Sequence, residues 1–172
     1  DGQVTDLWLG RLTEPIDAED NIAFYPVIDL PIDTEYIGRE IVTYGQPHRV
    51  GRNVIDAIED NFEIGKTRVL TFDFDATGGL GEDEAYLMAY DSGGPTFVDV
   101  NGELALVGTH YTNDTGFDPP SDGNRSGDSF IPFYIDRLNA NMGGQQVTTV
   151  PEPATVLLLA GGCLALLKHR KA

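Results

Sequence analysis

The alternation of apolar and polar positions along this chain predicts a protein built mainly from β-strands. Residues 4–12, 23–30, 37–42, 67–74, 96–100 and 104–109 are rich in β-branched and aromatic side chains and carry apolar residues at alternating positions or in short runs. A helical spacing appears only later, at Tyr134, Ile135, Leu138 and Met142. The pattern therefore predicts an all-β body closed by one helix.

A different pattern marks the end of the chain. Residues 154–167 form an uncharged apolar run, followed by a basic cluster at residues 168–171. As a helix this run would span about 21 Å, against about 30 Å for a bilayer core. We expect a short transmembrane helix whose basic end stays cytoplasmic and whose preceding body lies on the other side. Residues 141–149 are predicted to be a polar linker.

Composition narrows the possible partners. The formal net charge is −17, and such a field repels nucleic acid and anionic membrane surfaces. The only cysteine, Cys163, lies in the apolar run, so the body has no disulfide and no cysteine metal site. The first residue is Asp1 and no apolar leader follows it. We interpret the chain as part of a longer precursor.

The candidate chemistry lies in the sequence Asp91-Ser92-Gly93-Gly94-Pro95. A serine hydroxyl is a weak nucleophile, and a glycine turn exposes it and aims backbone N–H groups at a developing oxyanion. Two strand-like runs joined by Asn101-Gly102 follow, which predicts a β-hairpin. This context excludes the nucleophile elbow of α/β-hydrolases, where a helix follows the serine. The alternative is an ordinary surface turn between strands.

This segment resembles the nucleophile loop of the trypsin/chymotrypsin family of serine endopeptidases, which reads Gly-Asp-Ser-Gly-Gly-Pro and precedes such a hairpin. Two further segments are similar. Residues 5–12 resemble the strand that carries the triad aspartate, with Leu30-Pro31 where the family often has Leu-Pro, and residues 38–45 resemble the first strand of the second barrel. By that match Asp6 is the orienting carboxylate.

The resemblance implies a fold that is the second six-stranded barrel of a chymotrypsin-like double barrel. Residues 1–31 would be the end of the first barrel and residues 32–140 the second barrel with its C-terminal helix. Residues 141–149 would be the linker and residues 150–172 a sorting and anchor segment. Most of the first barrel, together with the family's catalytic histidine, would lie upstream of this sequence.

The resemblance also implies a mechanism on a polypeptide substrate that uses no cofactor and no metal. Ser92 would form the acyl-enzyme, and the N–H groups of Ser92 and Tyr90 would form the oxyanion hole. Tyr90 stands where the family has glycine, which suggests a strained or conditional oxyanion hole if a positive φ is required. Asp91 matches the aspartate that, in activated members, pairs with a newly cut N-terminal amine.

Substrate-pocket residues follow from the same match. Tyr86, Thr109, His110 and Tyr111 would line the primary pocket, and Tyr86 replaces the aspartate of trypsin itself. Cleavage after Arg or Lys therefore gains no support. His110 is expected to form a wall of the cleft rather than to act as the base, because a base must reach both Ser92 and Asp6.

The tail resembles the PEP-CTERM sorting signal of Gram-negative bacteria. Pro151, Glu152 and Pro153 precede the apolar run and the basic end. The resemblance implies export, a transient inner-membrane anchor through residues 154–167, processing by an exosortase-type enzyme, and a final location at the cell surface or outside the cell. The alternative for the Pro-Glu-Pro motif is a simple helix-start boundary.

An acidic segment offers one competing interpretation. Asp73, Asp75, Thr77, Gly78 and Glu84 fit the spacing of an EF-hand calcium loop. That loop requires flanking helices, whereas the residues before it predict a strand. A solvated acidic loop is the default, and an irregular calcium site here or in residues 113–128 stays an alternative.

Two classes of function remain open from the sequence. One is a surface-sorted serine endopeptidase, favoured by the nucleophile loop, the aspartate strand and their order. The other is a catalytically inactive trypsin-like domain that acts as a surface binding or matrix protein, favoured by Tyr90, Tyr86 and the missing histidine.

Overall fold

The computed structural model describes residues 7–46, 49–60, 67–113 and 121–150, which form mostly β-structure. Its strands are β1 (Val27–Ile28), β2 (Glu40–Gly45), β3 (Arg49–Val54), β4 (Ala57–Asp60), β5 (Arg68–Phe74), β6 (Pro95–Val100), β7 (Glu103–Asn113), β8 (Asn124–Phe130) and β9 (Thr149–Val150). A 3₁₀ turn, Ile131–Tyr134, leads into the helix α1 (Ile135–Asn141). The prediction of a mostly β body with one short helix is confirmed.

The strands form one curled sheet that makes a half-barrel. Its main path is antiparallel, in the order β3-β2-β6-β7-β8-β5-β4. The side-chain amide of Asn53 in β3 donates to the Asp73 carbonyl in β5 at 2.9 Å. This bond links one edge strand of the sheet, β3, to β5, which lies next to the other edge strand, β4. β1 lies beside β7 and β9 and runs parallel to both. The curl brings the ends of β2, β6 and β7 together, and the candidate site lies there.

The main core fills the concave face of the sheet with apolar side chains from almost every strand. Tyr36 lies within it, 1% exposed, and its ring meets Phe130 edge-on with centroids 4.8 Å apart. Its hydroxyl accepts the Leu30 N–H at 2.7 Å and donates to the Ile28 carbonyl. Burial raises the pKa of Tyr36 to about 12, so this hydroxyl stays protonated and holds the β1 segment against the barrel.

A second apolar cluster attaches α1 to the outside of the sheet. Val27, Ile131 and Ile135 form its centre, and partly buried side chains pack against them from Leu7, Leu106, Leu138 and Val147. The predicted helical spacing is confirmed for Ile135 and Leu138, which pack on this cluster from α1. Tyr134 is buried in the preceding 3₁₀ turn, and Met142 lies just past the end of α1. Both ends of the described chain meet in this cluster.

Other expectations differ from the structure. Residues 7–12, predicted to continue a strand from residue 4, have no strand structure, because no described strand lies beside them to accept their hydrogen bonds. Only β1 forms within the predicted strand 23–30. β3, β4 and β8 were not predicted, because they contain few apolar residues: β3 and β8 are mainly polar or glycine, and β4 has only Ala57 and Ile58 before two acidic residues.

The predicted polar linker is partly built into the fold. Val27 donates to the Thr148 carbonyl at 2.8 Å and Asp29 to the Val150 carbonyl at 3.2 Å, so β9 is a strand of the sheet. Val147 and Val150 pack on the two apolar clusters. In the described part of the chain, no helix has the length and apolar character needed to cross a membrane. The predicted transmembrane run, 154–167, and the sorting motif Pro151, Glu152 and Pro153 lie outside the described residues.

Candidate functional site

Two consecutive turns present Ser92, and the first contains a strained residue. It runs from Met88 to Asp91, with the Asp91 N–H donating to the Met88 carbonyl at 3.1 Å. Its third residue, Tyr90, has φ 77°, as a type II turn requires. A side chain in that region costs about 1–2 kcal/mol. Tyr90 is 77% exposed, so burial contributes little to offset the strain. The positive φ expected at this glycine position is therefore present.

The second turn runs from Asp91 to Gly94 and carries Ser92 at its second position. The Gly94 N–H donates to the Asp91 carbonyl at 2.9 Å, and Gly93 at the third position has φ 80°. Ser92 is exposed. Within the described residues neither its hydroxyl nor its N–H has a hydrogen-bond partner. Both groups are thus available to a ligand at the tip of the turn.

β7 supports this turn from behind. The Gly93 N–H donates to the His110 carbonyl at 3.0 Å, and the His110 N–H donates to the Gly94 carbonyl at 2.9 Å. A Cβ at Gly94 would lie 2.5 Å from the His110 ring and 2.8 Å from the Tyr44 carbonyl. Only glycine fits that position, and this close approach fixes the height of Ser92 above the sheet.

Asp91, which the two turns share, is 3% exposed. One carboxylate oxygen accepts the Gln46 N–H at 2.7 Å. The other accepts the Met88 N–H at 2.8 Å and the Arg49 guanidinium at 2.7 Å. A buried carboxylate is stable when hydrogen bonds and an opposite charge compensate its desolvation. The Asp91 side chain therefore joins the two turns around Ser92 to the β2–β3 hairpin.

His110 is buried beneath the turn, with 2% exposure. Its Nδ1 lies 2.9 Å from a carboxylate oxygen of Asp128 in β8. Its Nε2 lies 2.9 Å from the Tyr44 carbonyl at the end of β2. Both ring nitrogens therefore face oxygen acceptors, and the ring satisfies both only as a protonated imidazolium. The imidazole joins three strands of the sheet.

The electrostatics agree with that protonation. Burial alone would lower the pKa of His110, but the hydrogen bond and charge of Asp128 outweigh it, with further contributions from the Tyr44 carbonyl and the Asp91 charge. The pKa of His110 is therefore raised above its ordinary value. The second oxygen of Asp128 is buried without a hydrogen-bond partner among the described residues. With both ring nitrogens engaged, His110 has no free nitrogen to take a proton from Ser92.

The four residues predicted to line one substrate pocket do not lie together. His110 and Tyr111 line a small pocket of about 50 Å³ that also borders Ser92. Tyr86 instead lines a larger pocket of about 350 Å³ between β3 and residues 82–86, and its ring packs on Phe74 with centroids 5.2 Å apart. Thr109 is partly buried in β7 and borders neither pocket. Asp6, the predicted orienting carboxylate, lies outside the described residues, as does His48.

Sequence reasoning missed Arg49 and Asp128, the charged partners of Asp91 and His110. Arg49 lies in β3 and Asp128 in β8, two strands whose polar sequences gave no strand signal. An aspartate in the run Asn-Arg-Ser-Gly-Asp-Ser-Phe has no local feature that distinguishes it from a loop residue. Only the pairing of β8 with β7, which sets Asp128 opposite His110, reveals it.

The acidic segment 73–84 lacks the flanking helices of an EF-hand. β5 runs to Phe74, and a three-residue 3₁₀ turn, Gly81–Asp83, precedes Glu84. A Glu84 carboxylate oxygen accepts the Leu80 N–H. Burial raises the pKa of nearby Asp56, with added repulsion from Asp75 and Glu84. Across the described ranges, no three His, Cys, Asp or Glu side chains are grouped to hold a metal ion.

No protein-family model matches this chain, and no curated protein matches it significantly in sequence.

Proposed function

We propose that this chain carries the nucleophile of a trypsin-like serine endopeptidase. The observation that carries the proposal is Ser92, which is exposed at the second position of the turn Asp91–Gly94 and whose N–H has no hydrogen-bond partner among the described residues. The second turn leads into the β6–β7 hairpin, which is the context that the sequence motif predicts. The curled antiparallel sheet supports a place for the chain as the second barrel of a chymotrypsin-like fold.

In the proposed reaction the Ser92 oxygen attacks the carbonyl carbon of a peptide bond while its proton passes to an imidazole. The N–H groups of Ser92 and Tyr90 receive the oxyanion. Collapse of the tetrahedral intermediate gives an acyl-enzyme, and the imidazolium returns the proton to the leaving amine. Water then attacks the ester and loses a proton to the imidazole; as the ester bond breaks, the imidazolium returns that proton to the Ser92 oxygen, and the acid leaves.

The imidazole of this reaction is not His110, because both of its nitrogens are engaged. In the family that the chain resembles, the base precedes the triad aspartate in the sequence. We therefore assign the base to a histidine ahead of Asp6, with Asp6 fixing its tautomer.

Labelling with a fluorophosphonate tests whether the Ser92 hydroxyl is activated. The intact protein should bind one probe per molecule, because the probe phosphonylates only an activated serine. Ser92→Ala should abolish the labelling. Ser121→Ala, which removes another exposed serine, should leave it unchanged. A folded intact protein that does not react would contradict the peptidase proposal.

That outcome would favour the second candidate, a catalytically inactive domain that binds at the cell surface. Tyr90 is the observation in its favour, because it occupies a turn position with positive φ that glycine suits better, which disfavours a well-formed oxyanion hole.

We further propose export and surface sorting through the C-terminal tail. The support is the order of Pro151-Glu152-Pro153, the apolar run and the basic end directly after β9. Replacing Glu152 by Ala in a Gram-negative host should leave the protein in the inner membrane with an unprocessed tail. Normal release of that variant would contradict recognition by an exosortase-type enzyme.

A further inference from the structure

We infer that Arg49 is a positioning residue for Ser92. Its contact with Asp91 holds the two turns around Ser92, Met88–Asp91 and Asp91–Gly94, in their native arrangement without an activating cleavage of the chain. The inference rests on the proposed function and concerns how that site is regulated.

The geometry of Asp91 is the first step. Asp91 ends one turn and begins the next, so a displacement of its backbone moves both Tyr90 and Ser92. Its side chain accepts from Met88 in its own turn and from Gln46 and Arg49 in the β2–β3 hairpin. This carboxylate therefore connects the turns to the β2–β3 hairpin, while the backbone pairs with His110 hold them to β7.

Charge is the second step. Two of the three donors are neutral backbone N–H groups, and Arg49 supplies the only ion pair to Asp91 in the part of the chain that the structure describes. His110 is a second nearby cation, but it makes no hydrogen bond to Asp91. Removing the guanidinium leaves a carboxylate with 2% side-chain exposure short of its partner, which favours movement of Asp91 toward water.

The positive charge that pairs with Asp91 comes from within the chain. In the family that the chain resembles, the aspartate at this position meets a newly cut N-terminal amine. Here the internal Arg49 makes the contact at 2.7 Å, and its Nε also donates to the Gln46 carbonyl at 2.7 Å. The Arg49 guanidinium, carried at the start of β3 and held by Asp91 and Gln46, needs no cleavage elsewhere in the chain to reach Asp91.

Variants of the intact protein test the inference through the rate of fluorophosphonate labelling. Arg49→Gln should lower the rate at least tenfold, Arg49→Lys should recover part of the loss, and millimolar guanidinium should partly rescue Arg49→Ala. Arg52→Gln is the matched control, since Arg52 lies in the same strand but pairs with Glu40 and Asp83. It should change the rate less than twofold. An uncut N-terminal extension should leave the wild-type rate unchanged.

Amide hydrogen exchange separates this inference from the proposed function. In the wild-type protein the N–H groups of Gln46 and Met88 should exchange as slowly as those of β6, and in folded Arg49→Gln at least tenfold faster. Exchange at loop rates in the wild type, or unchanged exchange and labelling in Arg49→Gln, would overturn the inference. A wild-type protein that exchanges slowly at both amides but is not labelled would refute the peptidase proposal and leave the Arg49 contact established.

Discussion

At the scale of single residues, Tyr90 is the position where sequence and backbone disagree most. The turn requires a positive φ, and a tyrosine side chain disfavours it. Such an outlier is retained when the surrounding structure imposes it. Here the Asp91 contacts on one side and the His110 backbone pairs on the other impose it.

Replacing Tyr90 by glycine should therefore stabilise the protein. Relief of strain exceeds the entropy cost of a new glycine, and we expect a gain of about 0.5–1 kcal/mol in the free energy of unfolding. Chemical denaturation measures it, and Tyr44→Gly, which removes a tyrosine at a position without positive φ, is the control and should destabilise. A loss of stability in Tyr90→Gly would contradict the strain argument.

The same scale shows what the sequence could predict of the site. The motif around Ser92 and the need for a positive φ at Tyr90 were predictable, because a turn is specified by local residues. The roles of Arg49 and Asp128 were not predictable, because each contacts a partner that is distant in sequence. Both residues also lie in strands that are too polar to be recognised as strands from the sequence.

At the scale of elements, β9 is the clearest departure from expectation. Residues 141–149 are polar and predict a linker, but Val147 packs on the cluster around α1, and Val150, directly after that range, packs on the main core. β5, β6 and β7 were predictable from their buried apolar runs. β3, β4 and β8 were not, because hydrogen bonding to neighbouring strands rather than apolar content defines them.

Truncation tests the role of β9. A chain ending at Val150 should keep its stability, whereas one ending at Gln146 should lose about 2–3 kcal/mol. The loss reflects two half-buried valines and two backbone hydrogen bonds. Thermal melts of both chains measure the difference. Equal melting temperatures would show that residues 147–150 contribute nothing to the fold.

At the scale of the whole molecule, the buried pair of His110 and Asp128 ties global stability to pH. The pair joins β7 to β8 and, through the Tyr44 carbonyl, to β2. The pKa of His110 is raised in the folded chain, so the imidazolium contributes stability at pH values below its ordinary pKa. That contribution disappears as the pH rises through the raised value.

The free energy of unfolding should therefore fall as the pH rises above the ordinary pKa of histidine, about 6.5, and through the raised pKa of His110. His110→Gln should be less stable at pH 6 but much less dependent on pH, and subtracting its profile removes the contribution of the other titrating groups. Urea denaturation at several pH values gives both curves. Parallel curves would show that His110 is neutral in the folded protein.

The parallel alignment of β1 and β9 also determines how the molecule bears tension. The chain enters β1 at one end of the pair and leaves β9 at the opposite end. A pull between the tail and the segment before β1 therefore slides the two strands along each other. Their hydrogen bonds are loaded together in shear and do not open one after another, so the domain resists being pulled apart through the segment that follows β9.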